Sequence, residues 1–405
     1  MIEAKDINRI LGIKESYELP ERMMERLLND SEELFGQFLE LETDLSYDWF
    51  NKYFQEEHSN RNAMMQDFTP HEVAAMLPSL AGSYNSVADV CAGTGGLTIA
   101  AWEHNYDAAF YCEELSTRAI PLLLFNLAIR GIRAIVVNKD VLKNEVYAVY
   151  RIYDRKVSKL QAVPKVKADI VVTNPPYSLK RTGRDNPDDE RFLEYGYPPS
   201  QFSDYAFIIH SLSLLKEGGS VYAILPHGVL FRGSREADIR KKLIRNNRFC
   251  TVIGLPPKMF LNTDIPTCIC VFGAGDGKIL FVDASGDYTK AGRINRIEEK
   301  HVNRILDACR KRSDSERYAH LAGPSELGKN EYNLNIPRYV DTSEPEECPD
   351  IDKVIDDICR LDMEIYSVTK TIISTMQELS SQDAQTQRQL ENAVSRWKAA
   401  IEHGT

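Results

Sequence analysis

VADVCAGTGG, residues 87–96, reads as an apolar strand that stops in a glycine-rich turn and passes into the helical stretch Leu97–Glu103. At such a junction glycines let the backbone turn sharply and let a ligand approach with no Cβ in the way. A ligand there also meets the donor-rich amino end of the following helix. Asp89 stands just before the glycines and Glu114 ends the next strand. An acid at the end of a second strand suits ribose hydroxyls, so the pattern points to a nucleotide-like ligand. Neither a GxxxxGK-S/T phosphate loop nor a GxGxxG is present, which disfavours ATP and NAD.

Working outward, strand candidates recur at Val87–Val90, Ala108–Cys112, Ala134–Val137, Asp169–Thr173, Ser220–Leu225, Cys250–Leu255 and Thr267–Phe272. Helical stretches at Leu97–Glu103, Thr117–Arg130, Asp204–Leu215 and Arg235–Asn246 separate most of them. This alternation predicts an α/β fold whose parallel or mostly parallel sheet is covered on both faces. Lys278–Asp283 reads as one more strand outside that core. The expected organisation is a helical N-terminal region (1–62), a catalytic domain (63–285), a mixed polar extension (286–345) and a helical tail (346–405). In the tail, Ile351, Val354, Ile358, Leu361, Ile365, Val368, Ile372 and Leu379 recur near a 3.5-residue spacing, the signature of one long helix with a coiled-coil-like seam. The Gln/Ser-rich residues 380–395 read as solvated.

The chain has 405 residues, 43% hydrophobic and 27% charged, an ordinary globular balance. No apolar run approaches the roughly 20 residues that span a bilayer, and the first residues lack a signal-peptide core; the expected location is the cytoplasm. The eight cysteines form no CxxC pair and no disulfide framework. Cys268 and Cys270 read as core thiols, and no metal site is expected. A net charge of −11 is awkward for a protein that holds nucleic acid alone. The run from Arg232 to Lys258 is nevertheless basic, and reads either as a face toward DNA phosphates or as a solvated helix face.

Asn174-Pro175-Pro176-Tyr177 follows the apolar strand DIVVT directly. Two prolines fix the backbone and remove two N–H donors, leaving carbonyls rigidly presented. An exocyclic amine on an aromatic ring is a poor nucleophile because its lone pair is delocalised. The Asn174 amide oxygen and the Pro175 carbonyl offer acceptors for its protons, which would favour a pyramidal nitrogen aimed at a sulfonium methyl. Tyr177 offers a face on which a flipped base can stack. His227 reads as a structural histidine rather than a base, and Trp102 and Trp397 as packing positions.

Asp89–Gly96 followed by Asn174–Tyr177 resembles the amino-methyltransferases. Further blocks narrow the resemblance: Asp67-Phe68-Thr69-Pro70, Tyr205-Ala206-Phe207, LPHGVLFRG (225–233), IGLPP (253–257), FVDAS (281–285) and YNLNIPRYV (332–340). In this order they resemble the modification subunits of type I restriction-modification systems over residues 64–345. The resemblance implies a Rossmann-like S-adenosylmethionine-dependent methyltransferase sheet, with a short helical N-terminal region and a long C-terminal helix. It implies methyl transfer to N6 of a flipped adenine in double-stranded DNA. Phe68 and Thr69 would close over the methionine end of S-adenosylmethionine, Asp89, Ala92, Gly93 and Gly95 would form the turn around its amino-acid moiety, Glu114 would hold the ribose, and Asp140 would lie by its adenine. Asn174, Pro175, Pro176 and Tyr177 would hold the target base, with Phe192 packing nearby. A separate specificity subunit would read the sequence, and a restriction subunit belongs to such systems. The helical N-terminal region is shorter than the family's usual one. Two rivals follow from the same residues: an amino-methyltransferase acting on rRNA or protein glutamine, and a non-catalytic assembly subunit.

Overall fold

The computed structural model describes residues 2–57, 69–181, 186, 188–260, 265–292, 294–343 and 350–402. Contacts divide the chain into two units, residues 1–342 and 343–405.

The first unit opens with four helices, α1 (Ala4–Leu11), α2 (Leu19–Asn29), α3 (Ser31–Leu39) and α4 (Asn51–Glu57). After α5 (His71–Ala81) the chain alternates: β1 (Ser86–Val90), α6 (Gly96–His104), β2 (Ala109–Glu114), α7 (Ile120–Ile129) and β3 (Ala134–Asp140). A hairpin of β4 (Glu145–Tyr153) and β5 (Lys156–Leu160) precedes β6 (Ala168–Thr173), α8 (Asp204–Ser213), β7 (Leu215–Pro226) and α9 (Ser234–Arg245). Then come β8 (Phe249–Gly254), β9 (Thr267–Gly273), β10 (Ile279–Asp283), the short pair β11 (Thr289–Ala291) and β12 (Ile294–Arg296), α10 (Glu299–Lys311), β13 (Ala319–Ala322) and α11 (Pro324–Lys329).

Eleven strands form one sheet in the order β13-β10-β8-β9-β7-β6-β1-β2-β3-β4-β5. Strands β3, β2, β1, β6 and β7 run parallel at its centre, and β9 lies antiparallel between β7 and β8. The expected α/β class is what the structure has, with corrections at both edges. Lys278–Asp283 does not lie outside the core: β10 pairs in parallel with β8. The hairpin β4–β5 went unread: its apolar run VYAVY (146–150) is short, and Val146 and Tyr147 within it are exposed. The stretch 286–345, read only as polar, contains α10, whose Ile305, Leu306 and Ala308 are buried.

The N-terminal helices are not an appendage. All ten residues of α7 are buried, as expected of a helix that is apolar all round. Around its Phe125 stand Phe38, Phe50 and Phe35, with ring centroids 4.6, 5.2 and 5.4 Å away. One core therefore joins α3 and α4 to the sheet.

In the second unit the long helix α12 (Ile351–Glu378) is present, and residues 384–402 form a further helix, α13 (Ala384–Glu402). The polar stretch 380–395, read as solvated, is mostly exposed and largely helical. Asp383 starts it by accepting the Thr386 N–H at 2.8 Å. Ile373 and Val394 are buried, whereas most of the expected seam is exposed, Ile365 at 63% and Val368 at 58%.

Phe125→Ala is expected to lower stability by about 3–5 kcal/mol. A lower urea midpoint at unchanged slope measures it, and a loss below about 1 kcal/mol would place the shared core elsewhere.

Candidate active site

Parallel register sets the site. Val90 lies opposite Glu113 on one side and Thr173 on the other, and Glu114 lies opposite Asn138. The glycine turn, Glu114, Asp140 and Asn174 consequently leave the sheet along one edge, beside the point where strand order reverses from β1–β2–β3 to β6–β7. Ligands of open α/β sheets bind at such an edge. A cavity of about 240 Å³ opens there.

The turn has unusual backbone at three places: Cys91 at φ 67°, Gly93 at 57° and Gly95 at 103°. At Gly95 a Cβ would lie 2.9 Å from Leu123 Cδ1 on α7, so this glycine is required by helix packing as well as by φ. Gly93 N–H donates to Glu114 Oε2 at 2.8 Å, and Ser116 N–H donates to Oε1 at 2.6 Å. Burial nevertheless raises the pKa of Glu114. Beneath the turn, Thr94 Oγ1 donates to Asp48, whose other oxygen accepts from Asn126 Nδ2 at 2.7 Å. Asn126 also donates to the Thr94 carbonyl at 2.8 Å. Arg130 ties the same N-terminal segment down, donating from Nε to the Leu45 carbonyl at 2.7 Å and stacking over Trp49.

Of the residues singled out by sequence, Thr69, Ala92, Gly93, Glu114, Asp140, Asn174 and Pro176 line the cavity. Asp89, Gly95, Pro175 and Tyr177 are not among the lining residues, and Phe68 lies outside the described residues. Asn174 donates its amide N–H to Thr69 Oγ1 at 2.9 Å, which orients the amide. Asp140 accepts the Lys143 N–H at 3.0 Å. Tyr177 is buried, its ring edge-to-face with Phe260 at 6.1 Å. Phe192 is buried against Tyr197 at 4.3 Å.

Sequence reasoning missed Asn51, Glu113, Lys139 and Phe207, all of which line the cavity. Phe207 stands within a block noted for its resemblance, and Lys139 beside Asp140; nothing in the sequence marks Asn51. Glu113 accepts from Tyr111 at 2.8 Å, from Lys139 Nζ at 2.9 Å and from His210 Nε2. Burial opposes its charge, but the hydrogen bond from His210 Nε2–H and the Lys139 ammonium prevail and hold its pKa below the usual carboxylate range. Arg191 donates to His210 Nδ1 at 2.9 Å and to the Val141 carbonyl at 2.8 Å. An arginine only donates, so His210 is neutral with its proton on Nε2.

Within the basic run, Arg232 and Arg240 are taken up inside the chain, whereas Lys242, Arg245, Arg248 and Lys258 are exposed. Arg232 pairs with Asp204 and Glu236. Arg240 is buried and donates to the carbonyls of Tyr332, Val229 and Arg232. His227 is held by the Thr267 carbonyl at 3.0 Å.

Asp89 is fully buried on β1 and accepts from Thr98 Oγ1 at 2.6 Å. Burial pushes its carboxyl up to about 7, against about 3.9 in an unfolded chain. Between those values the folded protein keeps a proton that the unfolded chain has released, so this contribution to stability is lost as pH rises from about 4 to about 7. Asp89→Asn is expected to remove that slope. Thermal melts should show the variant gaining on the wild type between about pH 5 and about pH 8; an equal gap at both would mean that Asp89 titrates normally.

The N-6 DNA Methylase family model matches residues 43–348. The type I restriction enzyme MjaVII methylase subunit of Methanocaldococcus jannaschii is 27% identical over 351 residues, 81% of this chain and 58% of its own length. The MpnII methylase subunit of Mycoplasma pneumoniae is 25% identical over 76% of this chain and 59% of its own length. The chain thus spans less than two thirds of these curated relatives. A solved type I restriction-modification system methyltransferase subunit from Streptococcus thermophilus has a TM-score of 0.62 at 32% identity, over 68% of this chain and 59% of that one. The EcoKI M protein shares the fold, with a TM-score of 0.53 at 17% identity over 96% of this chain and 92% of that one. With the family's match covering the sheet, the glycine turn and the Asn174–Tyr177 turn together, this chain belongs to the N-6 DNA methylase family.

Proposed function

We propose that this chain transfers a methyl group from S-adenosylmethionine to N6 of an adenine flipped out of double-stranded DNA, as the modification subunit of a type I restriction-modification system. The observation that carries the reading is the convergence of Gly93, Glu114, Asp140 and Asn174 on one cavity.

The residues present fit S-adenosylmethionine. Asp89 Oδ1 is buried with no hydrogen-bond partner among the described residues, and the glycine turn brings backbone to the cavity wall. Glu114 faces the ribose in this reading, Asp140 the adenine, and Thr69, Ala92 and Gly93 the methionine end. The cofactor supplies an electrophilic methyl group on a sulfonium. The chain supplies geometry: Asn174 and the Pro175 carbonyl accept the protons of the target amine, directing its lone pair toward the cavity. Pro175 and Pro176 keep those acceptors from turning away. Tyr177, once uncovered from Phe260, stacks on the flipped base. Little proton removal is needed before transfer, which agrees with a site that presents acceptors rather than a histidine base.

A separate specificity subunit supplies sequence reading and DNA affinity, with a restriction subunit where the system carries one. Its docking element in this reading is the exposed apolar stripe of α12, including Ile358 and Ile365. Such a stripe on a long helix suits burial against partner helices. Two cations of the basic run, Arg232 and Arg240, are occupied inside the chain and so lost to DNA contacts, which supports this division of labour.

Expression in a methylation-deficient host, with and without the neighbouring specificity gene, tests the reading by modified-base sequencing. N6-methyladenine in a defined motif supports it; unmodified adenine in both hosts overturns it. Asn174→Ala is expected to abolish methyl transfer, a loss beyond about a hundredfold, while S-adenosylmethionine affinity by calorimetry stays within about tenfold. Wild-type turnover would remove Asn174 from the mechanism. Ile358→Glu with Ile365→Glu should end co-purification with the specificity subunit and leave cofactor affinity unchanged; intact co-purification would move the docking site off α12.

A further inference from the structure

The residue directly after Tyr177 is held by groups that methyl transfer itself does not use. Ser178 sits at φ 53°, a left-handed conformation that its Cβ disfavours. Its N–H donates to Asp204 Oδ1 at 2.9 Å. Asp204 is fully buried in the first turn of α8. Arg232 closes the arrangement: one guanidinium N–H donates to Ser178 Oγ at 3.1 Å, another to Asp204 Oδ2, and Nε to Glu236 at 2.7 Å. The Phe202 ring lies 4.3 Å from the guanidinium. Gly228 makes room for it, since a Cβ there would be 2.7 Å from Arg232 Nη1. Three segments far apart in sequence therefore converge on one backbone position.

We infer that Asp204, braced by Arg232, is a positioning residue that holds the Asn174–Tyr177 turn in its working conformation, an inference that rests on reading that turn as the clamp for the target amine. Asp204 divides its oxygens between Arg232 and the left-handed Ser178 N–H, so the ion pair and that backbone position are fixed together. Without that acceptor, Ser178 relaxes toward negative φ. Rotation there swings Tyr177 and the adjoining carbonyls away from the cavity. Transfer along a line tolerates little such displacement, and a shift near 1 Å can cost about a hundredfold in rate. The cofactor turn, built from β1 and β2, is untouched. Gly228 and Arg232 also belong to the LPHGVLFRG block, so the arrangement gives that block a physical task.

The test compares Asp204→Ala, Gly228→Ala and the double variant Asp204→Ala with Ser178→Gly, each as the full chain. Glycine adopts the left-handed conformation without help, so the double variant separates positioning from bulk stability. S-adenosylmethionine affinity by calorimetry is expected to stay within about threefold in all three, and the single-turnover methylation rate with the specificity subunit and target DNA to fall about a hundredfold in Asp204→Ala. Gly228→Ala, which removes no charge, should slow transfer in the same way by displacing Arg232. The double variant should regain at least about tenfold of the lost rate. Amide hydrogen exchange over residues 174–181, measured on the chain alone, should accelerate at Ser178 in Asp204→Ala. A wild-type rate, or a loss that Ser178→Gly does not restore, overturns the inference. If even the wild type methylates no DNA, the target-amine reading fails, and the exchange result still decides whether Asp204 holds the turn: faster exchange supports it and unchanged exchange refutes it.

Discussion

Parallel pairing of β1 with β2 and β6 is the constraint from which the site follows. Because side chains alternate along a strand, a slip of one residue would reverse every face. In the observed register, Val90, Glu113 and Thr173 stand abreast. The loops that follow those strands must then emerge together. Asn174 and the glycine turn are about eighty positions apart in sequence, yet both line one cavity. The shared edge is what allows one pocket to take in both the glycine turn and the Asn174–Tyr177 turn.

Keeping the edge in shape takes support from below. The glycine turn has left-handed backbone at Cys91, which an L residue adopts only where its surroundings insist. Those surroundings include Glu114, bonded to Gly93 N–H, and Asp48, bonded to Thr94. Asp48 belongs to the N-terminal segment, whose aromatic side chains pack around Phe125. The same core that stabilises the fold thereby braces the glycine turn. Buried charge is distributed on the same logic. Glu113 is neutralised by Lys139 and shares hydrogen bonds with His210 and Tyr111. Among the described residues Asp89 has no cationic partner, and burial, aided by the nearby Glu114 carboxylate, drives its carboxyl toward neutrality.

Much of this was legible in the sequence because it is written in local chemistry. VADVCAGTGG announces a strand, a turn and a helix through residues in direct contact along the chain. Asn174–Tyr177 announces rigid acceptors through two prolines. Other features were illegible for definite reasons. Asn51 looks like any helix-capping residue until α4 is packed beside the turn. Arg232 and Arg240 look like surface cations until their carboxylate and carbonyl partners are brought to them. The β4–β5 hairpin carries the short apolar run VYAVY (146–150), but only its pairing with β3 shows a strand with one face largely open to solvent.

The sequence by itself determined the alternation of strands and helices, the glycine turn and the proline-rigid Asn174–Tyr177 turn, since each depends on backbone preference and hydrophobic period over a few neighbouring residues. It likewise determined that α12 would carry an apolar stripe. Only the tertiary structure decided that Asn51, Glu113, Lys139 and Phe207 would join the cavity wall, that the N-terminal helices would share the sheet's core, and that Asp204 and Arg232 would meet Ser178. Those outcomes depend on register and packing between segments distant in sequence, which no local pattern encodes.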